Sequence, residues 1–271
     1  MTTHAAPAVD PDYLESAREH GLLHTHDGLP YVLGAFTDPA TGERQCLVEY
    51  CDSALLTGDP RLGWLVAHTA AEHADADLLV LRAPGELTLP APWVRHQTYI
   101  RPTDAAVDLA PAPGGIEVAQ AGPEADDLVR GWLAWAIADA ATDRGRSTDP
   151  RVLDELAGEV LAHPGRRSYL ALAGGLPIGH LTLCPDQLDE VTGRRHVELC
   201  DVLVEPPELR GPAQTALLAA ATAFARSTGD PLLGQVQHPE ETAAPGYRPS
   251  VLTTLLDRGW TIDHTFWRRR P

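Results

Sequence analysis

The chain has 271 residues, 44% of them hydrophobic and 22% charged, with 38 acidic against 21 basic side chains and a formal net charge of −17. That describes an ordinary globular protein, long enough for one large domain or two small ones. It argues against a nucleic-acid backbone as partner, because such binding depends on clustered Lys and Arg; the one basic cluster, Arg268 to Arg270, is too small to reverse the sign.

No apolar run approaches the roughly 18 residues of a membrane span. The opening "MTTHAAPAVDPDYLESAREHG" has neither the basic start nor the apolar core of a secretory signal. Cys46, Cys51, Cys184 and Cys200 form no CxxC pair and no zinc ligand set, so no metal is expected. Cys184 and Cys200 sit in apolar strand-like runs and read as small buried hydrophobes. A reduced, cytoplasmic protein is expected.

In chain order, "LPYVLGAFTD" and "ERQCLVEYCD" predict a hairpin across "PATG". "PRLGWLVAHTAAEHAD" predicts a helix, "ADLLVLRA" a strand and "WVRHQTYIRP" a closing strand. His68 and His73 fall on different faces of that helix and read as solvated, not as metal ligands. The Pro-, Ala- and Gly-rich stretch that follows marks a boundary. It divides the chain into 1–103, a linker at 104–115, and 116–271. The second part opens with the strand "IEVAQAG" and two helices, "PEADDLVRGWLAWAIADAATD" and "DPRVLDELAGEVLAHPG", the latter capped by Asp149 ahead of Pro150. A hairpin turning at Gly174-Gly175 follows, then the strand "RRHVELCDVLVEP", a helix from Pro212 to Arg226, the strand "PLLGQVQH", the helix "RPSVLTTLLDRGW" and the strand "TIDHTFWRRR". Hairpin, helix, strand and closing strand recur in both parts, which suggests a tandem of related half-units.

The corner between "VELCDVLVEPPEL" and "RGPAQTALLAAATAFA" turns from strand to helix through Arg210 and Gly211. Gly211 allows backbone to approach a ligand, Pro212 suits a first helical turn, and the amides opening such a helix can hold a phosphate. Val204, Pro206-Pro207, Arg210, Gly211, Ala213, Gln214, Thr215 and Leu217-Leu218 echo a strand–R-x-x-G-x-G/A–helix pattern, with Ala213 and Thr215 standing where glycines or small residues are usual. "SVLTTLLDRGWTIDHTF" echoes an amphipathic helix ending in Gly-Phe before a last strand. From Ile116 onward the chain thus resembles the GNAT superfamily, acyltransferases that move an acyl group from coenzyme A to an amine. The resemblance implies an α/β (α+β) fold: a mixed, splayed sheet flanked by helices, with a smaller, degenerate GNAT-like or accessory unit before it. It further implies acetyl-CoA or another acyl-CoA as co-substrate, held by Val202, Leu203 and Val204 on the strand and by Arg210, Gly211, Ala213, Gln214 and Thr215 at the corner.

Acyl transfer to an amine needs a base and an acid for the departing thiolate. By resemblance Glu198 is the base; its other reading is an outward carboxylate paired with Arg194 or Arg195. His196 is a second base candidate. Strand alternation puts Asp201 on the face opposite Glu198. His180 reads as a satisfied core histidine. Where the family commonly places an acidic tyrosine, Leu255 and Leu256 stand, and Tyr247 is the nearest substitute. The expected activity is an acyl-CoA-dependent N-acyltransferase acting on a small-molecule amine, cationic by the acidity of the chain. The alternative is a non-catalytic or repurposed protein of the same fold, binding CoA or taking an acyl carrier protein or aminoacyl-tRNA donor. The first part has no R-x-x-G-x-G/A pattern at its own corner, "EYCDSALLTGDPRLGW". It is expected to cover the cleft, shape the acceptor pocket or present a homodimer surface.

Overall fold

The computed structural model describes residues 8–85, 87–103, 115–143, 145–238 and 250–271. Asp10 caps the first helix, its carboxylate accepting from Asp12 N at 2.9 Å ahead of Pro11, and α1 runs Pro11–Glu19. Then come β1 (Leu23–His26), β2 (Leu29–Thr37), β3 (Arg44–Cys51), the single turn α2 (Ser53–Leu56), α3 (Asp59–Glu72), β4 (Leu78–Pro84) and β5 (Val94–Pro102). The remainder is β6 (Ile116–Gln120), α4 (Asp126–Asp143), α5 (Pro150–Ala162), β7 (Arg167–Ala173), β8 (Leu176–Asp189), β9 (Arg194–Val204), α6 (Arg210–Thr228), β10 (Leu232–Gln237), α7 (Ser250–Asp257) and β11 (Trp260–Arg269). Among the described residues, no helix is long and apolar enough to cross a membrane. The predicted strands and helices are all present; α1, β1 and α2 are additional. The α3 histidine expected in solvent is not there: the His68 ring stacks on Trp64 at 4.9 Å.

All strands join one sheet, in the order β1-β2-β3-β4-β11-β5-β10-β9-β8-β7-β6. The two closing strands are exchanged. β5, from the first half, pairs antiparallel with β10 of the second; β11, from the second half, pairs antiparallel with β4 of the first. The exchanged strands pair with each other at the centre. On either side a parallel pair flanks them, β3 with β4 and β9 with β10.

These parallel pairs share a further detail. β3 and β4 stay paired only to Val48↔Leu81, and β9 and β10 only to Leu199↔Gly234. Beyond those rungs β4 pairs only with β11, and β10 only with β5, so each parallel pair parts into a gap. One residue past the last rung, each inner strand carries a bulge against its antiparallel neighbour. In β3 the extra residue is Glu49, between Val48 (opposite Leu33) and Tyr50 (opposite Val32); in β9 it is Cys200, between Leu199 (opposite Leu183) and Asp201 (opposite Thr182).

One core lies between α6 and the sheet, where Ala213, Leu217 and Ala221 meet Leu181, Leu183 and Val197, all fully buried. A second, in the first half, gathers Tyr31, Leu55, Leu65 and Leu81. The β8–β9 hairpin is fastened by buried ion pairs to β4 of the first half and to the exchanged strand β11. Arg82 of β4 donates two hydrogen bonds of 2.8 Å to Asp189, and Arg194 donates two of 3.0 Å to Asp263 of β11. Burial alone would raise the Asp189 pKa, but the hydrogen bonds and charge of Arg82 outweigh it and hold it down to about 2.

Removing one partner of a buried pair leaves the other charge uncompensated. Asp189→Asn is therefore expected to destabilise the fold by about 3–5 kcal/mol in urea unfolding at pH 7. Because the folded pKa lies below the ordinary value of about 3.9, this contribution is present above that pH and fades as pH falls toward about 2. The variant should be correspondingly flatter across that window.

Candidate active site

Gly179 of β8 is the tightest approach beside the gap. A Cβ there would collide with the Leu203 carbonyl oxygen and the Val204 Cα, so only glycine lets β8 lie against the end of β9. On that side Val202, Leu203 and Val204 pair with Leu181, His180 and Gly179. On the other side, toward β10, the edge of β9 from Cys200 to Val204 has no strand partner.

From the end of β9 the chain turns through Pro206 and Pro207, whose carbonyls accept from Leu209 N and Arg210 N. Leu209 is the N-cap of α6 and offers no side-chain cap. Ala213 N donates to Leu209 O at 3.0 Å, and Pro212 has no N–H to give. The Gly211 amide finds no acceptor among the described residues, and a Cβ on it would meet nothing within 4 Å. One free donor, with the helix dipole behind it, thus stands at an exposed residue. Arg210 is exposed, and its Nε donates to Val204 O at 3.4 Å. Thr215 Oγ1 donates back to Gly211 O at 2.9 Å, Gln214 is half-buried, and the Ala213 methyl lies in the core at 0% exposure.

The face of the sheet away from α6 carries the titratable groups. Val197 and Leu199 pack into the α6 core, so Glu198 and His196 point to the other side. The bulge at Cys200 resets the alternation. Val202 and Val204 continue under α6, and Asp201 emerges on the same face as Glu198. Simple alternation, which places the two carboxylates on opposite faces, fails for this reason. His180 behaves as a core histidine: it is fully buried, bonded to Asp201 Oδ2 at 3.1 Å and Thr182 Oγ1 at 3.2 Å, and stacked on Trp132 at 5.2 Å.

Glu198 is half-buried, and burial raises its pKa against the opposing influence of His196 and His163. Arg194 and Arg195, its alternative partners, are engaged elsewhere, with Asp263 and with Asp186. Two imidazole nitrogens beside it, His196 Nδ1 and His163 Nδ1, are buried without a hydrogen-bond partner. Polar atoms left so are a place for water or a ligand group. Tyr247 lies outside the described residues. Another tyrosine does reach this face: Tyr99, on the exchanged strand β5, stacks on His264 at 4.3 Å. Burial, then the Glu198 charge, push its pKa up to about 12. Sequence reasoning missed Tyr99 because the exchange that brings it here leaves no local signal. No cluster of His, Cys, Asp and Glu able to hold a metal occurs among the described residues.

No protein-family model matches the chain, and no curated protein matches its sequence. Solved structures do. A GCN5-related N-acetyltransferase from Sphaerobacter thermophilus is similar at 15% identity, covering 90% of this chain and 77% of its own, with a TM-score of 0.51. A conserved protein of unknown function from Staphylococcus epidermidis is similar at 9% identity over 91% and 92% of the two chains, with a TM-score of 0.52. At these identities the likeness establishes the fold: the chain has the GNAT fold, a mixed α/β sheet flanked by helices.

Gly179→Ala tests how tightly the β8–β9 seam is built. Overpacking against backbone should cost about 1–3 kcal/mol in chemical unfolding. Gly211→Ala, made into open space, should cost nothing measurable in the same experiment.

Proposed function

We propose that the protein is an acyl-coenzyme A-dependent N-acyltransferase, most simply an acetyltransferase, acting in the cytoplasm on a small-molecule amine. The observation that carries this reading is the gap between β9 and β10. It opens one residue past Glu198, beside a bulge, and ends at a helix N-terminus with an open amide.

Acyl-CoA supplies an activated thioester. The free edge of β9, with Val202, Leu203 and Val204 at its end, would pair with the amides of the pantetheine arm as an added strand does. The Gly211 N–H, the α6 dipole and the Arg210 guanidinium would hold the diphosphate, with Gln214 and Thr215 along the same turn and Ala213 setting it against the core. Glu198 takes the proton from the amine, directly or through water held by the unpartnered His196 nitrogen, and His196 is the second candidate for that role. The acid's role falls to Tyr247 or to Tyr99, whose raised pKa keeps it protonated at neutral pH. Glu198 and Asp201 on one face favour a cationic acceptor.

One observation favours the alternative of a binding protein without turnover. With Pro212 lacking a donor and Ala213 N bonded to Leu209, the corner offers a diphosphate fewer amides than an ordinary helix start. Activity decides between them.

Acetyl-CoA at a hundred times its dissociation constant should stabilise the protein by about 2.7 kcal/mol. Gly211→Glu should remove that gain while leaving the unliganded protein's melting point in place; no gain in the parent protein at millimolar cofactor would end the proposal. Glu198→Gln should keep the thermal gain and lower turnover. Because Glu198 must be ionised to act and its pKa is raised, the rising limb of the pH–rate profile should lie above the ordinary carboxylate range in the parent and be absent in the variant.

A further inference from the structure

Two of the four cysteines have no part in the chemistry proposed above, yet the fold sets them side by side on the Glu198 face. Cys184 lies on β8 directly across from Glu198. Cys200 is the bulge residue of β9. Leu183 and Leu199 point into the α6 core, so Cys184 points to the opposite face, and the extra residue in β9 turns the Cys200 side chain toward it. Cys200 Sγ approaches Glu198 O at 3.9 Å, which holds it next to the residue that Cys184 faces across the strands. Cys200 is partly exposed beside the gap, and Cys184 lies behind it at 4% exposure. The other two, Cys46 and Cys51, are buried in the first half, where burial pushes each thiol up to about 12.

We infer that Cys184 and Cys200 form a dithiol site that a peroxide converts reversibly to a disulfide across β8 and β9. Its effect on turnover rests on the acyltransferase reading; its formation does not. The balance is simple. The thiolate of one cysteine attacks one oxygen of hydrogen peroxide, the O–O bond breaks, and a sulfenic acid and hydroxide result; the hydroxide takes the proton that thiol gave up and leaves as the first water. The sulfur of the other cysteine then attacks the sulfenic sulfur, the S–O bond breaks, and a second water leaves with the proton of the second thiol. Two thiols are oxidised and one peroxide is reduced to two waters. The bond would fasten the bulge to β8 beside Glu198, at the mouth of the gap.

The test uses the full chain under native conditions. After hydrogen peroxide the protein is unfolded in an alkylating reagent and cleaved after arginine; Arg194 and Arg195 separate the two cysteines onto different peptides. A linked pair containing Cys184 and Cys200, reversed by dithiothreitol, with Cys46 and Cys51 alkylated, is the expected result. Cys184→Ser and Cys200→Ser should each abolish the linked pair, and in at least one of the two dimedone should capture a sulfenic acid on the remaining cysteine. Recovery of Cys184 and Cys200 alkylated, or separately over-oxidised with no linked pair, overturns the inference. In the parent protein, thiol release from acetyl-CoA should be lost on oxidation and regained on reduction; full turnover with the disulfide formed overturns the regulatory part. A reduced protein that never turns over contradicts the acyltransferase reading and leaves the peptide result standing.

Discussion

Neither half of this chain completes its own sheet. The exchange of β5 and β11 is the constraint on which the rest depends, because it puts the two closing strands at the centre and leaves each parallel pair leaning on a strand from the other half. Contacts so distant in sequence cost loop entropy before they are rewarded. The reward here is continuous backbone pairing reinforced by charge: Arg82 with Asp189 ties the two halves together where water is scarce, and Arg194 with Asp263 ties β9 to the exchanged strand β11. Such ions stabilise little for their own sake, since their attraction is spent on desolvation. Their effect is one of register. A slip of one residue would strand four charges without partners.

The exchange also explains how a gap can stand open without collapsing. A parallel pair that parts would normally be repaired by sliding the strands together. β10 cannot move toward β9 without leaving β5, and β4 cannot close on β3 without leaving β11. The bulge then fixes what faces the opening. By spending one residue at Cys200, β9 returns both carboxylates, Glu198 and Asp201, to one side while keeping Val202 and Val204 under α6. The chemistry of that face follows from one unpaired residue.

Much of the fold was legible in the sequence. Period-two and period-3.6 patterns placed the main strands and helices, and Gly174-Gly175, Asp149-Pro150 and the Arg210 corner marked their ends as turn and cap chemistry requires. The first helix went unread although Asp10-Pro11 is the same cap-and-proline signal as Asp149-Pro150; its weakly apolar sequence gave no periodic stripe to attach it to. Two things were beyond local reasoning. Alternation in "WVRHQTYIRP" and "TIDHTFWRRR" says that each is a strand but not whose neighbour it is, so Tyr99 could not be assigned to the Glu198 face. Nor does "HVELCDVLV" announce a bulge, because apolar residues occupy both sides of it. The base candidate was found by its offset from the corner. Its companions needed the sheet.

The two gaps share a backbone plan and differ in their charge, and that difference separates their capacities. At the end of β3 the Asp52 carboxylate accepts from Ala54 N at 2.9 Å and so sits at the start of α2. A negative side chain there satisfies the amide and repels any anion. At the end of β9 the corresponding corner has no capping side chain; Gly211 presents an open amide, and Arg210 adds a cation beside it. Coulomb repulsion between two unit charges some 4 Å apart amounts to about 4 kcal/mol near a protein surface, enough to close a site to a diphosphate without any change in shape. Parted strands alone would therefore admit an extended chain in either half. The corner after β9 leaves its helix start free for an anion, and the corner after β3 does not.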